Sequence, residues 1–290
     1  RAVATFLREV AEPGDVVLLP HTDWTLPQYD TGAARPVMLP DPTDDAAVAA
    51  TVAQAVTPGH TVYALDYERG AIDPRGQVRA LLAWGGTLTA RHELPGLFLE
   101  VYEMEAVPRI PAPTPVTRAC VTGATPCLTG VALPERPESG AAMPVVLCWA
   151  GGLAPKRYAV ALRLYALGDI LVAGQDDLLV DSRVRPTKQW AREPVTTYHR
   201  LDLPTGLAPR AYRLEVGVYD PQDERARLSW VRADAPPIPA VSVGAVTPRE
   251  VARVGSDWAP VGPTTEVSEA LRLAGSEVEP SEVYPGQRIF

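Results

Sequence analysis

The chain has 290 residues, of which 46% are apolar, with a net charge of −8 and 31 prolines. That apolar share excludes wholesale disorder, and an acidic balance without any basic run excludes nucleic acid as an expected partner. No apolar stretch approaches the roughly 18–20 residues that a membrane helix needs.

The length predicts two domains and a piece of a third. The chain opens on Arg1 rather than Met, carries no signal-peptide pattern, and stops at Phe290 inside what reads as a strand. It is therefore expected to be a fragment of a longer protein.

Residues 2–11 place Val3, Phe6, Leu7 and Val10 at helical spacing, and Pro13-Gly14 ends the helix. Residues 15–20 are continuously apolar after Asp15, as in a strand buried on both faces. A short strand at 36–40 follows. The Ala-rich run 41–56 then aligns Val48, Val52 and Val56 on one helical face, and Pro58-Gly59 stops it. The acidic run from Asp41 to Asp45 reads as capping and dipole complement for this helix. Residues 61–65 predict a third strand and 75–84 a third helix. The alternating runs 87–94 and 97–103, split by Pro95-Gly96, predict a hairpin. Strand and helix in alternation over residues 1–107 predict a small Rossmann-like α/β layer domain with a mainly parallel sheet.

Sheets of this kind bind ligands beyond the carboxyl ends of their strands. The first strand ends in His21, Asp23 and Trp24, with Tyr29 and Asp30 soon after, and the third ends at Asp66. Together they suggest a sugar or metal-assisted site, aromatic faces stacking on sugar faces while carboxylates bind hydroxyls. Against this stands the plainer reading that polar turn formers end strands everywhere. No glycine-rich phosphate loop follows the first strand, and no Gly-x-Ser-x-Gly elbow or His-x-x-x-His pair occurs. His60, His92 and His199 stand isolated, and no cofactor is expected.

Residues 108–117 are proline-rich and read as a linker, as do 233–240. Between them, residues 118–240 have the rhythm of an antiparallel β-sandwich of immunoglobulin-like or jelly-roll-like kind. Tyr158 to Tyr165 alternates as a central strand, and the Gly168-Asp169 turn leads to the next. Tyr212, Leu214, Val216 and Val218 alternate with Arg213, Glu215, Gly217 and Tyr219, which is a half-buried strand. Trp149 reads as core, while Trp190, in a turn-rich polar context, is the tryptophan expected at the surface as a sugar-stacking residue. Cys120 and Cys127 flank a turn and are either bridged, in an oxidising compartment, or free. Cys148 reads as a core residue, and a zinc site lacks two further ligands at a familiar spacing. A faint echo of 128–140 at 273–286 makes 241–290 a linker with the start of a second sandwich, or an edge strand of the first.

The run through Pro186-Thr187, Trp190, Leu203-Pro204, Tyr212 to Asp220-Pro221 and Arg227-Leu228 resembles the β-sandwich appended to bacterial membrane glycosyltransferases. These belong to the dolichyl-phosphate-mannose protein mannosyltransferase-like group, of GT-C fold. Pro13 to Val17 and Leu97 to Tyr102 resemble the opening and closing of the soluble segment after their membrane helices. The resemblance implies a non-catalytic extracytoplasmic region tethered to its own membrane domain, outside the bacterial cell membrane, which positions a glycan or lipid-linked sugar acceptor or supports the assembly. It carries no catalytic residue onto this chain. The alternatives from other classes are a free-standing carbohydrate-binding or adhesion protein, and an enzyme with its site near His21, Asp23 and Asp66.

Overall fold

The computed structural model describes residues 2–20, 26–67, 73, 75–94, 97–121, 126–227, 230–232, 235–249, 265–268 and 271–273. Two compact units emerge, residues 1–250 and 251–290. The fold is rich in β-structure, most of it in antiparallel sheets.

The first unit opens with α1 (Ala2–Val10), β1 (Val16–Leu19), β2 (Arg35–Met38), α2 (Asp45–Ala55), β3 (Thr61–Tyr67), α3 (Gln77–Gly85), β4 (Gly86–Leu94) and β5 (Leu97–Met104). Their sheet runs β2-β1-β3-β5-β4. β1 pairs in parallel with β2 and β3, whereas β5 pairs antiparallel with both β3 and β4. The sheet is thus mixed rather than mainly parallel, because the closing hairpin docks beside β3 and contributes as many pairings as the parallel half.

Apolar clusters cover both faces of this sheet. One gathers Val16 and Leu18 with Val48, Val52, Leu81 and Leu82 of the two later helices; the other gathers Val17 and Leu19 with Val3 and Leu7 of α1. Burial on both sides explains the uninterrupted apolar run of β1. Asp44 caps α2, its carboxylate accepting from the Ala47 amide at 2.9 Å.

The sandwich follows in β6 (Thr114–Val121), β7 (Cys127–Ala132), β8 (Ala142–Ala150), β9 (Ala159–Ala166), β10 (Ile170–Leu178), β11 (Val195–Asp202), β12 (Tyr212–Asp220), β13 (Asp223–Arg227), β14 (Trp230–Arg232), β15 (Ala235–Ile238) and β16 (Val241–Val246). One sheet runs β10-β9-β12-β13, with β16 also on β12; the other runs β11-β8-β7-β6-β14-β15. Between them lie Trp149, Trp190, Trp230, Val160, Leu162, Leu164, Leu214 and Val216. Trp149 and Trp230 stack with centroids 6.1 Å apart. Cys120 and Cys127, opposite each other on β6 and β7, form a disulfide.

The boundaries differ from those the sequence suggests. β6 starts inside the proline-rich linker, and β15 occupies the second proline-rich stretch as an edge strand, where proline's missing N–H is tolerated. β16 pairs with β12, so the unit runs past residue 240. In the second unit Thr265–Ser268 and Leu271–Leu273 form an antiparallel pair. Most of the echoed 273–286 segment lies outside the described residues.

The two halves of the first unit are not independent. Ala80 of α3 packs with Ala132, Val146 and Tyr198 on the outer face of the β7-β8-β11 sheet. That contact is why the middle of β8 is buried on both faces.

Candidate functional site

The residues singled out as a strand-end site are not brought together among the described residues. His21, Asp23 and Trp24 lie outside the described residues, and Asp66 is described only as a backbone position of β3 opposite Phe98. Tyr29 is exposed just after a turn of 3₁₀ helix, Leu26–Gln28. Trp190 is not a surface residue: it is fully buried, packs against Trp149 with centroids 6.5 Å apart, and donates through Nε1 to the Arg185 carbonyl at 3.0 Å. The turn of Thr187–Gln189 drives the ring inward. Thr187 Oγ1, itself buried, ties that turn down by donating to the Lys156 carbonyl and accepting from the Tyr158 amide.

Two other places concentrate chemistry. The first is a depression of about 220 Å³ on the outward face of the β9-β10-β12 sheet. Ala161 and Gly217, opposed across β9 and β12, leave a low floor among taller side chains. Tyr165 and Tyr219 stand at its ends, with Arg163, Asp176 and Glu215 beside them and Pro239 and Ala240 along the rim. Arg163 lies across Gly174, where a Cβ would press on its stem, and its guanidinium meets Asp176 at 2.6 Å. The Arg163 guanidinium is raised above its ordinary value by its hydrogen bond to Asp176, against the smaller opposing effect of burial. Aromatic side chains, a small-residue floor and charged hydrogen-bonding groups are what an amphipathic sugar ring needs. At this size the depression suits one ring, being below the roughly 300–1,000 Å³ of sites that enclose drug-sized ligands.

The second is a cleft of about 630 Å³ in the seam between the α/β layer and the sandwich, lined by Asp73, Arg79, Arg91, Glu100, His199 and Arg200 among others. Glu100 is almost wholly buried and accepts from Arg79 Nε at 3.2 Å and from the Tyr102 hydroxyl at 2.9 Å. Burial and the adjacent Glu100 carboxylate push the Tyr102 phenol well above its usual value. Burial also raises the Asp73 carboxyl to about 6, although the amides at the start of α3 and the Arg75 guanidinium pull the other way.

In the same cleft His199 Nδ1 lies 2.9 Å from Asp177, and its Nε2 lies 2.8 Å from Thr197 Oγ1. Acid, imidazole and hydroxyl in a row is the order of a hydrolase triad. Here, however, the Thr197 hydroxyl is buried and already accepts from Trp149 Nε1 at 2.9 Å. A tautomer with the proton on Nδ1 satisfies every polar atom in the row, which makes it a closed structural network rather than a nucleophile awaiting substrate. Burial, the largest single effect, would raise the Asp177 carboxyl, but the His199 contact and the Gln175 hydrogen bond together hold the group below its ordinary value. His199, which looks isolated in the sequence, thus finds its acid 22 positions away across two strands. Among the described residues no group of three or more metal-ligating side chains converges, and no helix is long and apolar enough to cross a membrane.

No protein-family model matches this chain, and no curated protein does. Among solved structures it is similar to the C-terminal domain of wzt at 10% identity, covering 48% of this chain and 78% of that one, with a TM-score of 0.27. It is also similar to a calcium-binding mutant of beta-glucuronidase 2 from Bacteroides uniformis, at 12% identity over 47% of this chain and 19% of that one, with a TM-score of 0.25. At such scores neither likeness transfers a fold or an activity to this chain.

Proposed function

We propose that this chain is a glycan-recognising, non-catalytic extracytoplasmic part of a bacterial membrane glycosyltransferase of the dolichyl-phosphate-mannose protein mannosyltransferase-like group. In this reading residues 1–107 are a small Rossmann-like domain, the strands that follow are an immunoglobulin-like or jelly-roll-like sandwich, and the chain holds an acceptor glycan near a membrane-embedded catalytic site. It contributes effective concentration there, not transition-state stabilisation.

The observation that carries the glycan part is the sheet-face depression, with its Ala161–Gly217 floor, its two tyrosines and the Arg163–Asp176 pair. The Cys120–Cys127 disulfide supports a place on the oxidising side of the membrane. A glycan-array assay on the purified chain, repeated with Tyr219→Ala, tests the reading. A glycan bound by the parent and lost in the variant is the expected result; no binding to any glycan sinks it.

The same depression serves a second reading, a free-standing carbohydrate-binding or adhesion protein. The coding sequence upstream of Arg1 separates the two. A series of apolar helices there favours the first, and a lone signal peptide favours the second.

A further inference from the structure

We propose that the seam cleft is an oxyanion-binding site, in which Arg91 and Arg200 grip the carboxylate or phosphate group of a charged sugar. It is separate from the sheet-face depression and does not depend on it.

Three guanidinium groups from three elements gather around the buried carboxylate of Glu100: Arg79 from α3, Arg91 from β4 and Arg200 from β11. Glu100 does not saturate them. Its Oε2 is taken by Arg79 and Tyr102, while Arg91 Nε stands 3.8 Å and Arg200 Nη1 3.6 Å from Oε1, outside hydrogen-bonding distance. The buried acid therefore fixes the place of these two cations by charge, without using up their donors.

Each of the two is steadied by a further contact. The Arg91 guanidinium lies 4.2 Å over the Phe98 ring, and Arg200 Nε donates to Asp202 at 2.7 Å. Both remain open to solvent, Arg91 at 48% and Arg200 at 32% side-chain exposure. At this end of the cleft the three guanidinium groups face Glu100 and Asp202, while Asp73 and Asp177 line it further along.

The other ionisable side chains along the cleft each have a hydrogen-bonding or ionic partner. Asp176 pairs with Arg163, Asp177 with His199 and Arg75 with Asp45, and Asp73 accepts from the Arg79 amide. Two pre-placed planar forks with free donors match the paired oxygens of a carboxylate or phosphate, and holding them in place beforehand removes part of the ordering cost of binding. A neutral sugar gains little from such a pair.

The test is calorimetric titration of the chain with sodium glucuronate, inorganic phosphate and glucose at low ionic strength, repeated with Arg91→Gln, Arg200→Gln and Tyr219→Ala. Saturable binding of an anion, absent with glucose, is expected. Arg91→Gln should weaken it by about tenfold or more, the loss of a charge-assisted hydrogen bond. Arg200→Gln should weaken it likewise, and Tyr219→Ala should leave it unchanged. Preference for glucuronate assigns the site to an acidic sugar, and preference for phosphate to a sugar phosphate. Because Arg91 is half exposed, its variant should unfold at the parent's midpoint, so lost binding is not lost fold. No saturable binding of either anion, or binding that Arg91→Gln leaves intact, overturns the proposal.

Discussion

The hydroxyl of Tyr198 on β11 donates to the carboxylate of Asp45, the first residue of α2, at 2.9 Å across 153 positions of sequence. Asp45 also receives the buried Arg75 guanidinium, which sits 5.5 Å from the centre of the Tyr198 ring. One carboxylate thereby joins α2, the loop before α3 and the sandwich. Burial and the Asp45 charge together drive the Tyr198 phenol far above its ordinary value, so the hydroxyl stays a donor well into the alkaline range.

Tyr198→Phe keeps the ring on Ala80 and Val146 and removes only the hydroxyl. Its expected cost is about 1–2 kcal/mol, since Asp45 keeps Arg75 as a partner. Urea unfolding followed by tryptophan fluorescence, to which Trp149, Trp190 and Trp230 of the sandwich contribute, and by far-UV circular dichroism should give coincident curves for the parent. Curves that separate in the parent contradict the seam as a cooperative contact.

Asp73 sets a pH dependence of known sign. Its folded value of about 6 lies above the 3.8 of the free side chain, so the folded state holds the proton more tightly. This contribution is fully present below about pH 4 and is lost as pH rises through about 6, a fall of about 3 kcal/mol at most. Asp73→Asn should flatten the stability profile over that window. An unchanged profile by thermal melts at pH 4 to 7 would show that the carboxyl is not buried as described.

Trp190→Ala should destabilise by about 3–5 kcal/mol, as for a large aromatic removed from a packed core. A surface stacking residue would cost less than about 0.5 kcal/mol and alter only binding. Chemical denaturation of the variant distinguishes these outcomes.

Gly217→Val is the converse case. A Cβ at this position meets nothing nearer than 3.7 Å, and the backbone is not in the left-handed region, so the strand accepts it. Stability should stay level or rise slightly, valine being the better strand former. The new side chain fills the floor of the depression, and glycan binding should disappear while the unfolding midpoint holds.

Cys120→Ser with Cys127→Ser removes the disulfide between β6 and β7 and should destabilise the sandwich. A bridge across a separation of 7 residues restrains only a short loop, so the cost should be about 2–3 kcal/mol. Unfolding with and without reductant measures it, and the double variant should be insensitive to reductant.

Period-two alternation from Tyr212 to Tyr219 was enough to read β12 and its buried face, because a strand with one wet side writes its geometry into the order of residues. The continuous run through Val145, Val146 and Leu147 carried a further message, that β8 is covered on both faces. The order of residues does not name the helix that covers the second face. Trp190 misled for a related reason: polar neighbours describe where the backbone runs, not where one large ring is aimed.

Local physics therefore determined the strands, the capped helix α2, the half-buried β12 and the β-rich character of the whole. Those features depend on residues a few positions apart. Tertiary structure alone decided that Arg79, Arg91 and Arg200 surround Glu100, that His199 finds Asp177, and that Ala161 faces Gly217. Each of these depends on register and on the packing of one layer against another. A carboxylate and its partner contributed by separate elements carry no shared signature until the chain has buried both in the same low-dielectric place.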